Sequence, residues 1–339
     1  MSASPFAGAA IIRLGSDASI RQYFRLDGGP RPALLMDAPD AATAPPCPPG
    51  ADPAERERLG YGALVRGSGS SLIAYEAAAR MLAARGVRVP EVLRSDVRGG
   101  FAIIEDLGAA RVADVAHDPA IETRLYQQAA DLLDVLRSEP AAPGEAFGWA
   151  FQTYDALAYR TEAALLAQWY FPKILHRTLT EQEVVELDHA WAETFDLLSA
   201  PNALVHRDFH ADNLMVVGDG IGVLDFQDLM IGQPAYDWAS LIEDARRDVS
   251  IDLRTALYQR GVARAANAEA FERDYAILAA QRNAKILGLF ARLAARDGKE
   301  RYLDLIPRVL DFFREDLERP ALARVQRLLQ HLAPEVFVR

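Results

Sequence analysis

Lysine is scarce in this chain. Three residues, Lys173, Lys285 and Lys299, stand against 37 basic side chains in all, and the first 172 residues contain none. A cation needed in that half must therefore be a guanidinium. Cysteine is scarcer still: Cys47, in a Pro-rich stretch, is the only one. That excludes a disulfide framework within the chain, fits a reducing compartment, and places no nucleophile motif around the thiol. No uncharged apolar run approaches the roughly 20 residues that span a bilayer. Residues 2–10 are short, uncharged and mildly apolar, so no secretory leader and no membrane attachment are expected. An excess of positive charge is missing too. The net charge is −11, which argues against a nucleic-acid partner. An acidic balance suits a cationic substrate, but it is also ordinary for a cytoplasmic protein. The 339 residues, half of them hydrophobic, leave room for two or three domains.

What is present concentrates in residues 205–228, Val-His-Arg-Asp-Phe-His-Ala-Asp-Asn-Leu-Met-Val-Val-Gly-Asp-Gly-Ile-Gly-Val-Leu-Asp-Phe-Gln-Asp. Asp208, Asn213 and Asp225 have the spacing of a phosphoryl-transfer site. Such a site needs in-line geometry and charge neutralisation more than covalent help. One carboxylate must orient the attacking hydroxyl and accept its proton, a role that falls to Asp208. An amide oxygen and a second carboxylate must hold Mg2+ on the nucleotide phosphates, since hard cations take oxygen ligands. Those roles fall to Asn213 and Asp225. Two short strands, near 214–217 and 221–224, with a Gly218-Asp219-Gly220 turn, bring the two ligands back together. An Asp-x-x-x-x-Asn pair alone occurs by chance. Here His206 precedes it, and a hairpin pattern and a closing Asp-Phe follow.

The first hundred residues read as a small sheet with one helix. Strands are expected over 10–14, 20–26, 33–37, 92–95 and 101–105. A helix over 72–85 carries Leu72, Tyr75, Ala79 and Leu82 on one face, with Gly86 at its end. Residues 38–71, rich in Pro, Gly and Ala, read as a long loop or insertion, with a lid as the functional alternative. After Gly108 helices dominate, over 120–137, 154–171, 181–199, 236–246, 253–260, 268–295 and 301–317, with Asn267 capping the long one. The expectation is an α+β, bilobal, protein-kinase-like fold. Its sheet-rich nucleotide lobe covers 1–107 and its helical lobe 108–339.

The 205–228 stretch, this layout and Ile103-Ile104-Glu105-Asp106-Leu107-Gly108 resemble the aminoglycoside phosphotransferase (APH) family, relatives of protein kinases. Further segments resemble the anomeric sugar kinases of bacterial cell-wall recycling, which phosphorylate N-acetylmuramate and N-acetylglucosamine with ATP. These are Gly15-Ser16-Asp17-Ala18-Ser19, Arg21-Gln22-Tyr23-Phe24-Arg25, Leu35-Met36-Asp37-Ala38-Pro39, Asp244-Ala245-Arg246-Arg247-Asp248 and Gln281-Arg282-Asn283-Ala284-Lys285-Ile286-Leu287-Gly288. The resemblance covers most of the chain and is weakest over 40–70. It implies ATP and Mg2+ as cofactors, Asp208 as base, and Asn213 and Asp225 as metal ligands. It implies a hinge at Glu105–Leu107 whose backbone meets adenine, and support of the catalytic loop by His206 and by Asp237 on a following helix. A monomer acting on a small sugar is expected.

One feature departs from the kinase pattern. Met36 occupies the approximate position of the third-strand lysine, and no lysine in that half can replace it. Either the chain is a nucleotide-binding pseudokinase, or phosphate charge is met by Arg21 or Arg25 with the backbone and hydroxyls of Ser16, Ala18 and Ser19. A solvated strand face is the alternative for both arginines. For the acceptor, His210 and Asp228 flank the reacting groups. Glu162 and Trp169 lie in the segment that lines the acceptor pocket in relatives. Trp149 and Trp169 suit a pyranose face, against helix packing as the plainer reading. Arg246 suits a lactyl carboxylate, against a salt bridge to Asp244 or Asp248. An aminoglycoside kinase, or a choline- or homoserine-type kinase, remains an alternative.

Overall fold

A computed structural model describes residues 5–15, 21–39, 47–68 and 71–338. The chain forms two compact units. The first comprises Met1–Glu139, Pro143–Gln152 and His210–Met230; the second comprises Pro140–Ala142, Thr153–Phe209 and Ile231–Arg339.

In the first unit, strands β1 (Ala10–Arg13), β2 (Gln22–Asp27), β3 (Ala33–Asp37), β4 (Val92–Asp96) and β5 (Phe101–Glu105) form an antiparallel sheet in the order β1-β2-β3-β5-β4. Alternation sorts their side chains. Leu26, Ala33 and Ile103 join Phe6 in one cluster. Met36, opposite Tyr23 and Ala102 in the register, is fully buried. The third strand thus carries a sealed apolar side chain where kinases carry an ammonium. The helix over Leu72–Ala84 buries Leu72, Tyr75, Ala79 and Leu82, and Ser71 caps it by accepting the Ala74 N–H at 3.3 Å. Gly86 follows it at φ 76°.

The 38–71 stretch is not a structureless loop over its described part, 47–68. It contains α1 (Pro53–Leu59) and α2 (Tyr61–Leu64). Asp52 accepts the Glu55 N–H at 2.8 Å, and Pro53 starts the helix. The Arg56 guanidinium is buried. It donates to the Ala63 carbonyl at 3.0 Å and to the Leu64 carbonyl, stapling α1 to α2. Cys47, Ala51 and Ala63 make a small core of their own, with Leu59 against it. Residues 40–46, 69 and 70 of that stretch lie outside the described residues.

The hairpin Leu214–Val217/Gly220–Val223 completes this unit. Its turn is Gly218-Asp219, with Gly218 at φ 57°, and Gly220 is already in the strand. The hairpin is fixed by Val223 N–H to the Arg88 carbonyl and Val216 N–H to the Ala110 carbonyl, both 2.8 Å, and by Gln128 to the Asp219 carbonyl at 2.7 Å. The division between units therefore does not fall at 107/108. The helix Pro119–Ser138 packs on this hairpin and belongs with the sheet.

The second unit is built around the helix Ala268–Asp297, which is buried through its middle. Asn267 caps it, accepting the Ala270 N–H at 3.0 Å. The helix crosses Ala156–Leu165 closely enough that a β-carbon on Gly288 would lie 2.2 Å from the Leu165 carbonyl. Beyond that crossing the expected 154–171 helix loosens into a π-helical turn, Leu166–Tyr170. Among the described residues no helix is long and apolar enough to cross a membrane.

Candidate active site

In the helical unit, strand Ala203–Val205 delivers the chain to His206, and Asn202 N–H to the Gly232 carbonyl (3.1 Å) anchors its start. Asp237, buried near the start of the helix Ala235–Ile242, accepts the His206 N–H at 2.6 Å and the Arg207 N–H at 2.8 Å. These bonds hold Arg207 at φ 78°, a left-handed conformation unusual for a side chain of its size. The His206 Nδ1 accepts the Asp208 N–H at 3.3 Å, which leaves the proton of a neutral ring on Nε2. The loop so fixed presents one residue. Asp208 is exposed, while Ala203–Arg207 before it and Phe209–Ala211 after it are buried. Burial raises the Asp237 carboxyl to about 6, against the opposing pull of His206 and the two N–H donors.

Behind this loop lies a charged cluster. Glu162 Oε1 meets Arg207 at 2.7 Å and Lys285 Nζ at 3.0 Å; Glu162 Oε2 accepts the Tyr154 hydroxyl. The Tyr154 hydroxyl reaches that of Tyr236 at 3.3 Å, and the Arg207 guanidinium lies 4.4 Å from the Tyr154 ring centroid. Burial pushes the Glu162 carboxyl up, but Lys285 and Arg207 outweigh it and hold the group below its ordinary value. Burial likewise pushes the Lys285 ammonium down, and Glu162, Tyr236 and Asp208 lift it above the ordinary value. Glu162 therefore has both oxygens engaged inside the unit rather than offered to an acceptor. Sequence reasoning missed Arg207 and Lys285. Lys285 lies in the recognised 281–288 run, but nothing local named its partner.

In the sheet unit, Leu224 N–H to the Asn213 carbonyl (2.9 Å) closes the hairpin and sets Asn213 beside the approach to Asp225. Asp225 is exposed between the half-buried Leu224 and the buried Phe226 and adopts φ 58°. Gln227 Nε2 donates to Asp225 Oδ1 at 2.9 Å, a support the sequence did not disclose. The Asn213 amide nitrogen lies 3.5 Å from Nε2 of the buried His210, a contact that does not use the amide oxygen. One amide oxygen and one carboxylate are a fitting partial shell for Mg2+, which keeps several waters and takes phosphate oxygens. No cluster of three or more His, Cys, Asp or Glu among the described residues offers a closed cage.

Arg21 is buried in the same surroundings as Asp225. The Tyr23 hydroxyl is pushed up to about 12 by burial, with Arg21 opposing and Asp225 adding to the shift. Tyr75, whose ring lies 4.8 Å from that of Phe226, is also held above its ordinary value by burial and feels the same two charges. Arg25 differs: it donates to Asp106 at 2.8 Å, tying β2 to the residue after β5. The Glu105 carboxylate is held by Arg88 at 2.5 Å and lies near Arg31 at 3.4 Å. The Arg88 hydrogen bond keeps it below the ordinary range against the effect of burial. Its N–H already donates to the Glu91 carbonyl at 2.9 Å. Leu107 packs on Gly222, where a β-carbon would lie 2.7 Å from its side chain. Ser16, Ala18 and Ser19 lie outside the described residues.

Of the acceptor candidates, Asp228 lines a small cavity with Trp149 and accepts the Ser68 N–H at 2.5 Å. Trp169 is half-buried in the π-helical turn of the other unit. Arg246 is exposed there, its N–H donated to Asp244 at 2.9 Å, while Asp248 pairs with Arg308 at 2.6 Å.

An antiparallel sheet unit carrying Asn213 and Asp225 and a helical unit carrying Asp208 define a kinase-like phosphotransferase. The chain belongs to the phosphotransferase enzyme family APH, whose family model matches residues 10–280. It is 36% identical to an N-acetylmuramate/N-acetylglucosamine kinase of Caulobacter vibrioides, covering 98% of this chain and 95% of that one. To the enzyme of the same name from Pseudomonas aeruginosa it is 31% identical, covering 96% and 89%. Among solved structures, a choline/ethanolamine kinase family protein from Mesorhizobium loti has a TM-score of 0.57 at 16% identity, covering 97% of this chain and 96% of that chain. The ADP-bound aminoglycoside phosphotransferase APH(2'')-Ib has a TM-score of 0.55 at 16% identity, covering 90% and 94%. At such identity the two structures share the fold and need share nothing more.

Proposed function

We propose that this protein is a cytoplasmic, monomeric, ATP- and Mg2+-dependent kinase that phosphorylates the anomeric hydroxyl of N-acetylmuramate, N-acetylglucosamine or both during peptidoglycan recycling. The observation that carries the reading is the presentation of Asp208 as an exposed carboxylate on an otherwise buried loop pinned by Asp237. The names of the full-length relatives supply the sugar. In the reaction Asp208 accepts the proton of the anomeric hydroxyl as its oxygen bonds to the γ-phosphorus and the bond to the ADP oxygen breaks. An anomeric hydroxyl is more acidic than an ordinary alcohol, so orientation is the larger part of the work of Asp208. Mg2+ on Asn213 and Asp225 supplies charge neutralisation at the phosphates, and Arg21 takes the part of the missing lysine.

The buried Met36 favours a second reading, a pseudokinase that binds nucleotide without transfer. One experiment separates the two: protein, ATP, Mg2+ and a panel of small sugars, followed by phosphorus NMR of the products. A sugar 1-phosphate is expected. An ester at another hydroxyl, or ATP binding without transfer to any sugar, defeats the proposal.

A further inference from the structure

The cavity beside Asp228 lies wholly within the sheet unit and includes Arg66, Ser68, Trp149, Gln152, Gln227 and Asp228 in its lining. Its chemistry is specific. Gln227 is 7% exposed. Its Nε2 is committed to Asp225, while its Oε1 is buried and has no hydrogen-bond partner among the described residues. A buried acceptor left in this way calls for a ligand O–H or N–H. Asp228 offers a second acceptor, which here takes the Ser68 N–H. Trp149 offers a ring face for an apolar sugar surface. Arg66 is the one cationic side chain among the described residues lining the cavity, and its guanidinium donates to the Gln152 side-chain oxygen. It sits at φ 54°, directly after α2.

We infer that this cavity is the acceptor subsite for an acidic N-acetylated amino sugar. Gln227 and Asp228 accept from its hydroxyl or acetamido groups, and the Arg66 guanidinium takes its carboxylate as a two-pronged donor. The two sugars in the relatives' names differ by a lactyl carboxylate, so a single guanidinium distinguishes them. The inference rests on the sugar-kinase reading and moves carboxylate recognition from Arg246 to Arg66. The space enclosed in this structure is about 10 Å³, no more than a single water needs. The sugar therefore enters as the α1–α2 segment gives way and its Ser68 and Arg66 contacts are exchanged for contacts to the ligand. That segment has its own small core.

The test measures kcat/KM of the wild type for N-acetylmuramate, its uncharged carboxamide and N-acetylglucosamine, then repeats the series with Arg66→Gln and Arg66→Lys. The wild type is expected to prefer the acid to its carboxamide by at least tenfold, mainly through KM. Arg66→Gln should erase that preference, and Arg66→Lys should keep part of it. The carboxamide comparison needs no variant, so a folding defect in Arg66→Gln does not blunt it. No preference in the wild type, or equal losses on all three sugars in Arg66→Gln, overturns the inference while the kinase reading stands. A wild type that phosphorylates none of the three removes both.

Discussion

Asp237 accepts the Arg207 N–H at 2.8 Å, and with it holds Arg207 in a left-handed conformation one residue before the proposed base. The same carboxylate takes the His206 N–H, so two buried donors depend on one side chain. Asp237→Ala strands both, each at about 1–3 kcal/mol. The expected result is a loss of roughly 2–5 kcal/mol in urea unfolding together with a fall in kcat larger than any change in the KM for ATP. Unchanged stability would mean that the loop is held by something else.

The Asp237 carboxyl also sets a pH dependence. Burial raises it from 3.8 to about 6 in the folded protein. A raised value means that the folded state holds the proton more tightly, so the stability it contributes is whole below about pH 4 and is lost as pH rises through about 6. Glu243 and Asp316, also raised by burial, contribute in the same direction. Asp237→Asn removes one titration and keeps the other two. Relative to that variant, the wild type should lose up to about 3 kcal/mol between pH 4 and 7.5. Parallel stability curves for the two proteins would refute this.

The proposed phosphoryl-transfer residues were legible because their chemistry is local. Asp208, Asn213 and Asp225 lie within 18 residues, joined by a hairpin whose pattern and turn are written in sequence. The sheet was legible from alternation, and β3 and β5 fall on the strands expected there. What escaped depends on distant partners. Arg25 was placed on the correct strand, but Asp106, which engages it, is 81 positions away. Glu162 looked available for an acceptor until Lys285 and Arg207 appeared beside it. The α1–α2 segment was hidden by its Ala, Pro and Gly content, although Asp52-Pro53 is a helix start by capping chemistry. Its fold depends on burying Arg56, a residue type that composition assigns to the surface.

Lys285 is the test of the charged cluster behind the loop. Losing one partner of a buried ion pair costs about 3–5 kcal/mol when the other is left uncompensated. Arg207 still faces Glu162 here, so Lys285→Met should cost less, about 1–3 kcal/mol. Because Asp208 is among the charges acting on Lys285, kcat should fall as well. Adding Glu162→Gln should cost further stability, since the buried Arg207 guanidinium then faces no carboxylate. A double variant more stable than Lys285→Met alone would show that Arg207 does not depend on Glu162.

Gly288 and Gly218 make a matched pair of probes. Gly288 has no room: an added β-carbon would sit 2.2 Å from the Leu165 backbone, which cannot swing aside as a side chain would. Gly288→Ala should cost at least the 1–3 kcal/mol of overpacking and separate the two helices at their crossing. Gly218 is open on all sides, and only its φ of 57° resists substitution, so Gly218→Ala should cost about 1–2 kcal/mol. Thermal unfolding of both variants decides the order.

Gln227 links the proposed metal ligand to the proposed acceptor cavity, since its amide nitrogen donates to Asp225 while its oxygen is buried without a partner among the described residues. A group that orients a metal ligand typically matters 10–100-fold in metal affinity. Gln227→Leu removes the donor to Asp225 and the unpartnered acceptor together. Titrating activity with Mg2+ at saturating ATP should show half-activation moved up by about 10–100-fold, with thermal stability nearly unchanged. The KM for sugar should rise separately at saturating Mg2+, and only this second effect reports on the cavity. If Mg2+ dependence and sugar KM both stay at their wild-type values, Gln227 does neither job, and Asp225 is oriented by the strained backbone alone.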